Sequence, residues 1–418
     1  MLRCGGFRVW TSLVPKCGQR LSHSDAAYHS QKKTPFYDFH IAHKAKLVDF
    51  CGYSLPIQYS SQNIIESHIH VREHCGIFDV SHMLQTKVSG DDRFSFMESL
   101  TVADLLGLKP GSGTLSVYTN PSGGIMDDLI VHVCKEPYLY VVSNACCADK
   151  IKTHLTTAMK TPFQSGKNVK IEFLDNALLA VQGPKAHSVI KDGIATSDIS
   201  KFENLYFMET MLISSFFGLY EKSREIRITR CGYTGEDGYE ISIPASLALP
   251  IGDRLCNNKE VRPIGLAARD TLRLEGGMCL YGNDLEESIT PVEASLSWLI
   301  SKRRRNEACT PRFPGYSRIK EQLKKKSEIG RRRIGLKGLK GPVPRHGMPI
   351  FCGVDTNQVG EVTSGCFSPT LKCNIAMAYV KPDYCANQTE LFIEVRKKRY
   401  PFTVSTLPFV PNHYVKRP

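Results

Sequence analysis

Apolar residues recur at helical spacing, with polar residues between them, over positions 64–75 (IIESHIHVREHC), and this predicts a helix there. A short apolar–polar stretch over 77–84 follows it. Further along, the pattern shortens to strand-like runs at 114–118, 129–134 and 138–143, with the turn Asn120-Pro-Ser-Gly-Gly124 between the first two. The run 226–230 leads through Gly235-Glu-Asp-Gly238 into 239–243, which predicts a β-hairpin. Positions 264–274 return to helical spacing and stop at Gly276-Gly277, as helices ending on glycine do. From Ile334 onward, short strands recur between Gly, Pro and Asn breaks, which predicts a small all-β module. Helices and strands without regular alternation favour an α+β fold over a doubly wound sheet.

Composition changes this picture in three places. At 418 residues the chain is too long for one compact core, so two or three packed units are expected. No apolar run approaches the ~20 residues of a membrane-spanning helix, so no membrane partner is expected. The 15 cysteines are scattered, without a Cys-x-x-Cys, and are expected to be reduced and partly buried rather than a disulfide framework or a zinc site.

The first 33 residues differ from the rest. Arg3, Arg8, Lys16, Arg20, Lys32 and Lys33 face the single acid Asp25, so this segment carries +5 of the formal +13 and leaves +8 for the remainder. Basic, acid-poor and without a long apolar core, it reads as a mitochondrial transit peptide, and the matrix is the expected location. The residual positive charge suits anionic partners in general. Basic clusters crowd positions 302–333 (KRRR, KKK and RRR), but Phe313 and Tyr316 are the only aromatics there and no nucleic-acid module appears. An exposed connection between domains is the expected reading, and no nucleic-acid partner.

The candidate chemistry begins with exclusions. Glu66, His70 and His74 are spaced four apart and share a helix face, yet the zincin pattern is missing and a solvated polar face suffices; no metal is expected. The glycine-rich turns match neither the dinucleotide nor the P-loop fingerprint, and no serine or cysteine sits in a nucleophile elbow. The pair Asp127-Asp128 is more informative. It follows the Gly123-Gly124 turn and precedes the apolar run 129–131, and neighbouring strand residues face opposite sides, so one carboxylate is turned inward. An inward carboxylate is costly unless paired or used. Spacing alone leaves open which of the two it is.

Seven motifs, in order, carry a family resemblance: Phe78-Asp-Val-Ser-His-Met83, Gly124-Ile-Met-Asp-Asp128, Arg230-Cys-Gly-Tyr-Thr-Gly-Glu-Asp-Gly238, Ala267-Ala-Arg-Asp270 with Leu272-Arg-Leu274, Leu280-Tyr-Gly-Asn-Asp284, Thr290-Pro-Val-Glu293 and Thr363-Ser-Gly-Cys366. From about Thr34 to the C-terminus the chain resembles the aminomethyltransferases, or T-proteins, of the glycine cleavage system. The resemblance implies an α+β, three-domain, clover-like folate-binding arrangement with a C-terminal β-barrel-like module. The expected organisation is a transit peptide over 1–33, two intertwined α+β domains over 34–300, a basic connecting segment over 301–333 and the barrel over 334–418.

It also implies a reaction. The lipoylated H-protein delivers an aminomethyl group, and tetrahydrofolate, as co-substrate, takes the carbon. By this resemblance Asp128 is the catalytic carboxylate, while Glu240, Arg269 and Tyr414 bind substrate. A carboxylate such as Glu240 can accept two hydrogen bonds from the adjacent N–H groups of a pterin edge, and the guanidinium of Arg269 suits the anionic glutamyl tail. Two departures are His413, where the family carries Asn, and Cys147, close to the expected site; neither removes a named group. The alternative is a folate-binding non-transferase relative of the iron–sulfur maintenance type, whose Lys-Gly-Cys-Tyr-type motif is missing here. Folate domains of sarcosine and dimethylglycine dehydrogenases carry a fused flavin domain whose fingerprint is also missing.

Overall fold

Along the strand Ile125–Val133 every second side chain is buried and its neighbours are half-buried at first, the mark of a strand with two unlike faces. The computed structural model describes residues 31–161, 166–353 and 357–418, so nearly all of the expected transit peptide lies outside the described residues. The strand starts four residues earlier than the apolar run suggested. Asp127 and Asp128 therefore lie within it, opposite Tyr118 and Val117 of the antiparallel strand Ser112–Thr119. The sequence pattern hid this because two consecutive acids break the apolar signal.

These two strands belong to a five-stranded sheet completed by Tyr138–Ser143, Leu84–Ser89 and Lys170–Leu174. A six-stranded sheet runs Thr210–Ile213, Ile226–Thr229, Gly238–Ile243, Ala177–Gln182, Cys75–Asp79 and Val261–Pro263, with only the last pair parallel. The expected hairpin is formed by the antiparallel pairing of Ile226–Thr229 with Gly238–Ile243. The sheets pack face to face: Tyr138, Tyr140 and Val142 of one meet Phe78, Leu178 and Ala180 of the other, and the helix Leu266–Glu275 adds Ala268 and Leu272. Gly265 starts this helix, and a Cβ there would fall 2.3 Å from the Ile57 carbonyl oxygen, so glycine permits the close approach to the strand Tyr53–Tyr59.

The C-terminal module is a closed six-stranded barrel, in the order Arg332–Gly338, Cys373–Val380, Gln358–Ser368, Pro349–Phe351, Glu390–Val395 and Lys398–Ser405. Its interior is filled by residues such as Leu336, Ile350, Val362, Ala378 and Ile393. Closure pairs every strand edge.

Two expectations need correction. The basic stretch 302–333 is not simply an exposed connection. Arg304 is 1% exposed, lies 3.4 Å from the Glu98 carboxylate and donates to the carbonyls of Pro311 (2.6 Å) and Thr101 (3.1 Å). Arg303 pairs with Glu98 and with Asp104 at 2.7 Å. The helix Tyr316–Lys324 buries Tyr316 and Ile319 in a cluster with Val117 and Ile125. A charge run looks solvated in sequence because partners two hundred residues away are invisible to local pattern. The cysteines are likewise not all reduced: Cys51 and Cys146 form a disulfide, with Cα atoms 4.9 Å apart. They lie 95 positions apart in the chain, and no local spacing announces the pair. The bond ties the turn of the hairpin Ala45–Phe50/Tyr53–Tyr59 to the loop after Tyr138–Ser143.

Glu98→Ala should lower the unfolding free energy by about 3–5 kcal/mol, because it strands the buried Arg304 guanidinium. Lys324→Ala, on an exposed position, should stay within about 0.5 kcal/mol in the same denaturation series.

Candidate functional site

The sheets, the helix Leu266–Glu275, the barrel and the C-terminal tail meet around a cavity of ≈ 820 Å³. Asp128, Glu240, Arg269 and Tyr414 all line it, brought together from a strand, a hairpin, a helix and the chain end. Asp127 does not reach it. Its side chain points to the opposite face of the strand and is fully buried.

Asn144, just beyond the strand Tyr138–Ser143, holds both acids. Its backbone N–H donates to Asp127 Oδ2 at 3.1 Å, and its side-chain amide donates to Asp127 Oδ1 at 2.9 Å and Asp128 Oδ1 at 2.8 Å. Burial pushes both carboxyls above their usual range, and the charge of Asp128 pushes Asp127 further. Asp128 is raised to about 6, with the Asn144 amide and the Arg269 charge opposing its desolvation. At neutral pH the cavity-facing member of the pair is therefore the ionised one.

Glu240 lies on the strand Gly238–Ile243, opposite Thr229 and Ala180. Burial raises its carboxyl, while the Arg269 charge and a hydrogen bond from the Cys231 thiol lower it. Arg269 stacks its guanidinium 4.7 Å from the Tyr233 ring centroid. Desolvation lowers its pKa, yet its charge reaches both Asp128 and Glu240. It lines the cavity together with Asp128 and Glu240, where its charge offsets theirs. At the rim stand the exposed Arg332 and Lys416, with Trp298 64% exposed.

The tail returns to the site through backbone pairing. Phe409 N–H donates to the Glu275 carbonyl at 2.9 Å, His413 N–H to Gly235 at 2.8 Å, and Phe207 N–H to Val415 at 2.8 Å. Tyr414 stacks on Phe207 with ring centroids 4.0 Å apart. His413 Nδ1 lies 2.7 Å from the Glu236 carboxylate, so the residue at the Asn-to-His departure pins the tail. Cys147 is buried behind the acids, its thiol 3.8 Å from the Met126 carbonyl, and burial pushes its pKa up, leaving it a packing thiol.

Sequence reasoning passed over Asn144 and Tyr233. Tyr233 stands inside the Arg230–Gly238 motif and Asn144 directly follows the strand-like run 138–143, and an aromatic or an amide facing a buried charge was the available signal. Glu66 and His70 serve structure. Glu66 closes a capping box with Asn63, and His70 Nε2 lies within 3.1 Å of the Cys75 and Glu260 carbonyls. His74 pairs with the Glu260 carboxylate at 2.6 Å. Among the described residues no His, Cys, Asp and Glu group is arranged to hold a metal, and no helix is long and apolar enough to cross a membrane.

Comparison with known proteins agrees with this architecture. Residues 36–304 match the family model of the GCVT N-terminal domain, and residues 331–411 match that of the glycine cleavage T-protein C-terminal barrel domain. The mitochondrial aminomethyltransferase of Homo sapiens is 49% identical over 383 residues, covering 92% of this chain and 91% of that protein. That of Canis lupus familiaris is 50% identical over the same coverage. The crystal structure of glycine cleavage system aminomethyltransferase T from Bartonella henselae superposes with a TM-score of 0.82 at 35% identity, covering 93% of this chain and 100% of that one. Two family models matched in chain order, with a cavity built where both meet, show that this protein belongs to the glycine cleavage T-protein family of mitochondrial aminomethyltransferases.

Proposed function

We propose that this chain transfers the methylene carbon of an aminomethyl group, presented on the lipoyl arm of the glycine cleavage H-protein, to tetrahydrofolate. The products are 5,10-methylenetetrahydrofolate, ammonia and the dihydrolipoyl protein. The observation that carries this reading is the convergence of the carboxylate of Asp128 with Glu240, Arg269 and Tyr414 on a single cavity of ≈ 820 Å³, within the usual range for a ligand of this size.

The chemistry divides among these groups. The transferred carbon lies between sulfur and nitrogen, so its release passes through an iminium-like cation. Asp128, fixed by the Asn144 amide, places negative charge where that cation develops and can accept the proton of the attacking folate amine. Glu240 offers two oxygens to the adjacent N–H donors of a pterin edge. Arg269 balances the two carboxylates, which lets Asp128 stay ionised in a dry site. Tyr414 closes one wall from the tail. The exposed Arg332 and Lys416 at the rim suit the anionic glutamyl tail and an acidic carrier surface.

The direct test supplies the chain with aminomethylated H-protein and tetrahydrofolate and follows methylenetetrahydrofolate and ammonia. Both should form in equal amounts, and neither without folate at a comparable rate. Turnover should fall as pH drops through about 6, where Asp128 takes up a proton. A profile flat from pH 8 to 5 would contradict the carboxylate role.

Charge burial also has a stability signature. The folded pKa of Asp128 lies above the unfolded carboxylate value, so the folded state binds the proton more tightly, and stability falls as pH rises from about 4 to about 6. Asp128→Asn should therefore raise unfolding stability at pH 8 by about 1–3 kcal/mol, and the gain should vanish near pH 4. Thermal melts at the two pH values read this.

A further inference from the structure

His132 follows Asp128 by four residues on the strand Ile125–Val133, so both side chains project from the same face toward the second sheet. The ring is 1% exposed, and among the described residues neither Nδ1 nor Nε2 has a hydrogen-bond partner. Buried polar groups of this kind are rare, because a lost hydrogen bond to water is not replaced. A Cβ on the neighbouring Gly113 would fall 2.2 Å from the His132 Cδ2, so glycine there lets the backbone lie against the ring. Burial, aided by the nearby Arg227 charge, lowers its pKa to about 3, which keeps the imidazole neutral with one N–H to donate.

Across the layer between the sheets stands Glu240. His132 and Glu240 line a common internal space of ≈ 10 Å³. A space of about this size holds a single water molecule when polar groups face it. The other polar side chains around it are engaged. Tyr140 and Ser242 both donate to Gln85 Oε1, at 2.8 and 2.6 Å, Thr229 pairs with Thr210 at 3.0 Å, and Arg227 pairs with Glu136 at 3.0 Å. His132 and Glu240 are left with capacity to spare.

We propose that one water molecule occupies this space, accepts the His132 N–H and donates to the Glu240 carboxylate, which makes His132 a positioning residue for Glu240. The water holds the carboxylate from behind and orients its free lone pairs toward the cavity. The proposal rests on the reading of Glu240 as the group that receives the pterin edge.

Three variants of the full chain separate the possibilities, with KM for tetrahydrofolate and kcat measured in the methylenetetrahydrofolate assay. His132→Phe keeps the ring volume and removes both nitrogens; it should raise KM about tenfold with kcat little changed. His132→Gln, which restores a donor, should recover most of the loss. Glu240→Gln should raise KM by itself, and His132→Phe added to it should bring little more. If Glu240→Gln raises KM while His132→Phe leaves it at the wild-type value, the bridge is wrong and the reading of Glu240 stands. If Glu240→Gln leaves KM unchanged, the reading of Glu240 fails and the bridge with it. Should His132→Phe not fold, a high-resolution crystal structure of the wild-type chain decides. A water peak within hydrogen-bonding distance of both side chains supports the proposal, and an empty space between them overturns it.

Discussion

One amide, that of Asn144, makes the rest of the site possible. Two carboxylates on consecutive positions of a strand between packed layers would each be expensive to bury, and each would raise the cost of ionising the other. Asn144 answers with a backbone and a side-chain donor to Asp127 and a further donor to Asp128. The result is a division of labour. Asp127, on the core face, anchors the loop, while Asp128, on the cavity face, keeps its charge. That loop is itself fastened: Cys147 packs back on the same strand, and Cys146 is bonded to Cys51 of the N-terminal hairpin. The cavity-facing carboxylate is thus placed by a strand and held by a loop with three independent ties.

The second constraint is the helix Leu266–Glu275, which carries Arg269 to the carboxylates. Two buried acids bind it to the barrel. Glu275 accepts from His68 (3.1 Å), Arg72 (2.8 Å), Thr370 (2.8 Å) and Ser368. Asp284 accepts from Arg273 (2.6 Å) and pairs with Thr363 of the barrel. Breaking either would leave a charge unpaired in the interior, so the junction between the two parts of the chain is specific as well as tight. The cavity lies at this junction, and the order of its walls follows from the order of these ties.

Much of this was legible in the chain. The helix near 264–274, the hairpin through Gly235–Gly238 and the all-β C-terminal part each follow from patterns a few residues long, and all three are present. What failed to show were features decided by distant partners. Residues 302–333 look like a solvated charge run until Glu98 and Asp104 are placed beside Arg303 and Arg304. The start of the Ile125 strand is masked by its own two acids. Local spacing could say that one of Asp127 and Asp128 faces inward; in fact both are largely withdrawn from solvent, and only the geometry of the sheet separates a core face from a cavity face. The family resemblance selected Asp128, Glu240, Arg269 and Tyr414, and these do share a cavity, but it carried no word of Asn144 or His132. Asn144 matters through the two acids it touches, and a single sequence does not record touching.

On the proposed mechanism the acid on the cavity face, and not its buried neighbour, supports the transfer. The most direct measurement compares turnover of aminomethylated H-protein in Asp128→Asn and Asp127→Asn, with tetrahydrofolate binding measured in parallel. Asp128→Asn should lose most turnover while folate still binds, and Asp127→Asn should retain the greater share of activity. If Asp128→Asn turns over like the wild type, or Asp127→Asn is the more damaging change in a protein that is still folded, the assignment is contradicted.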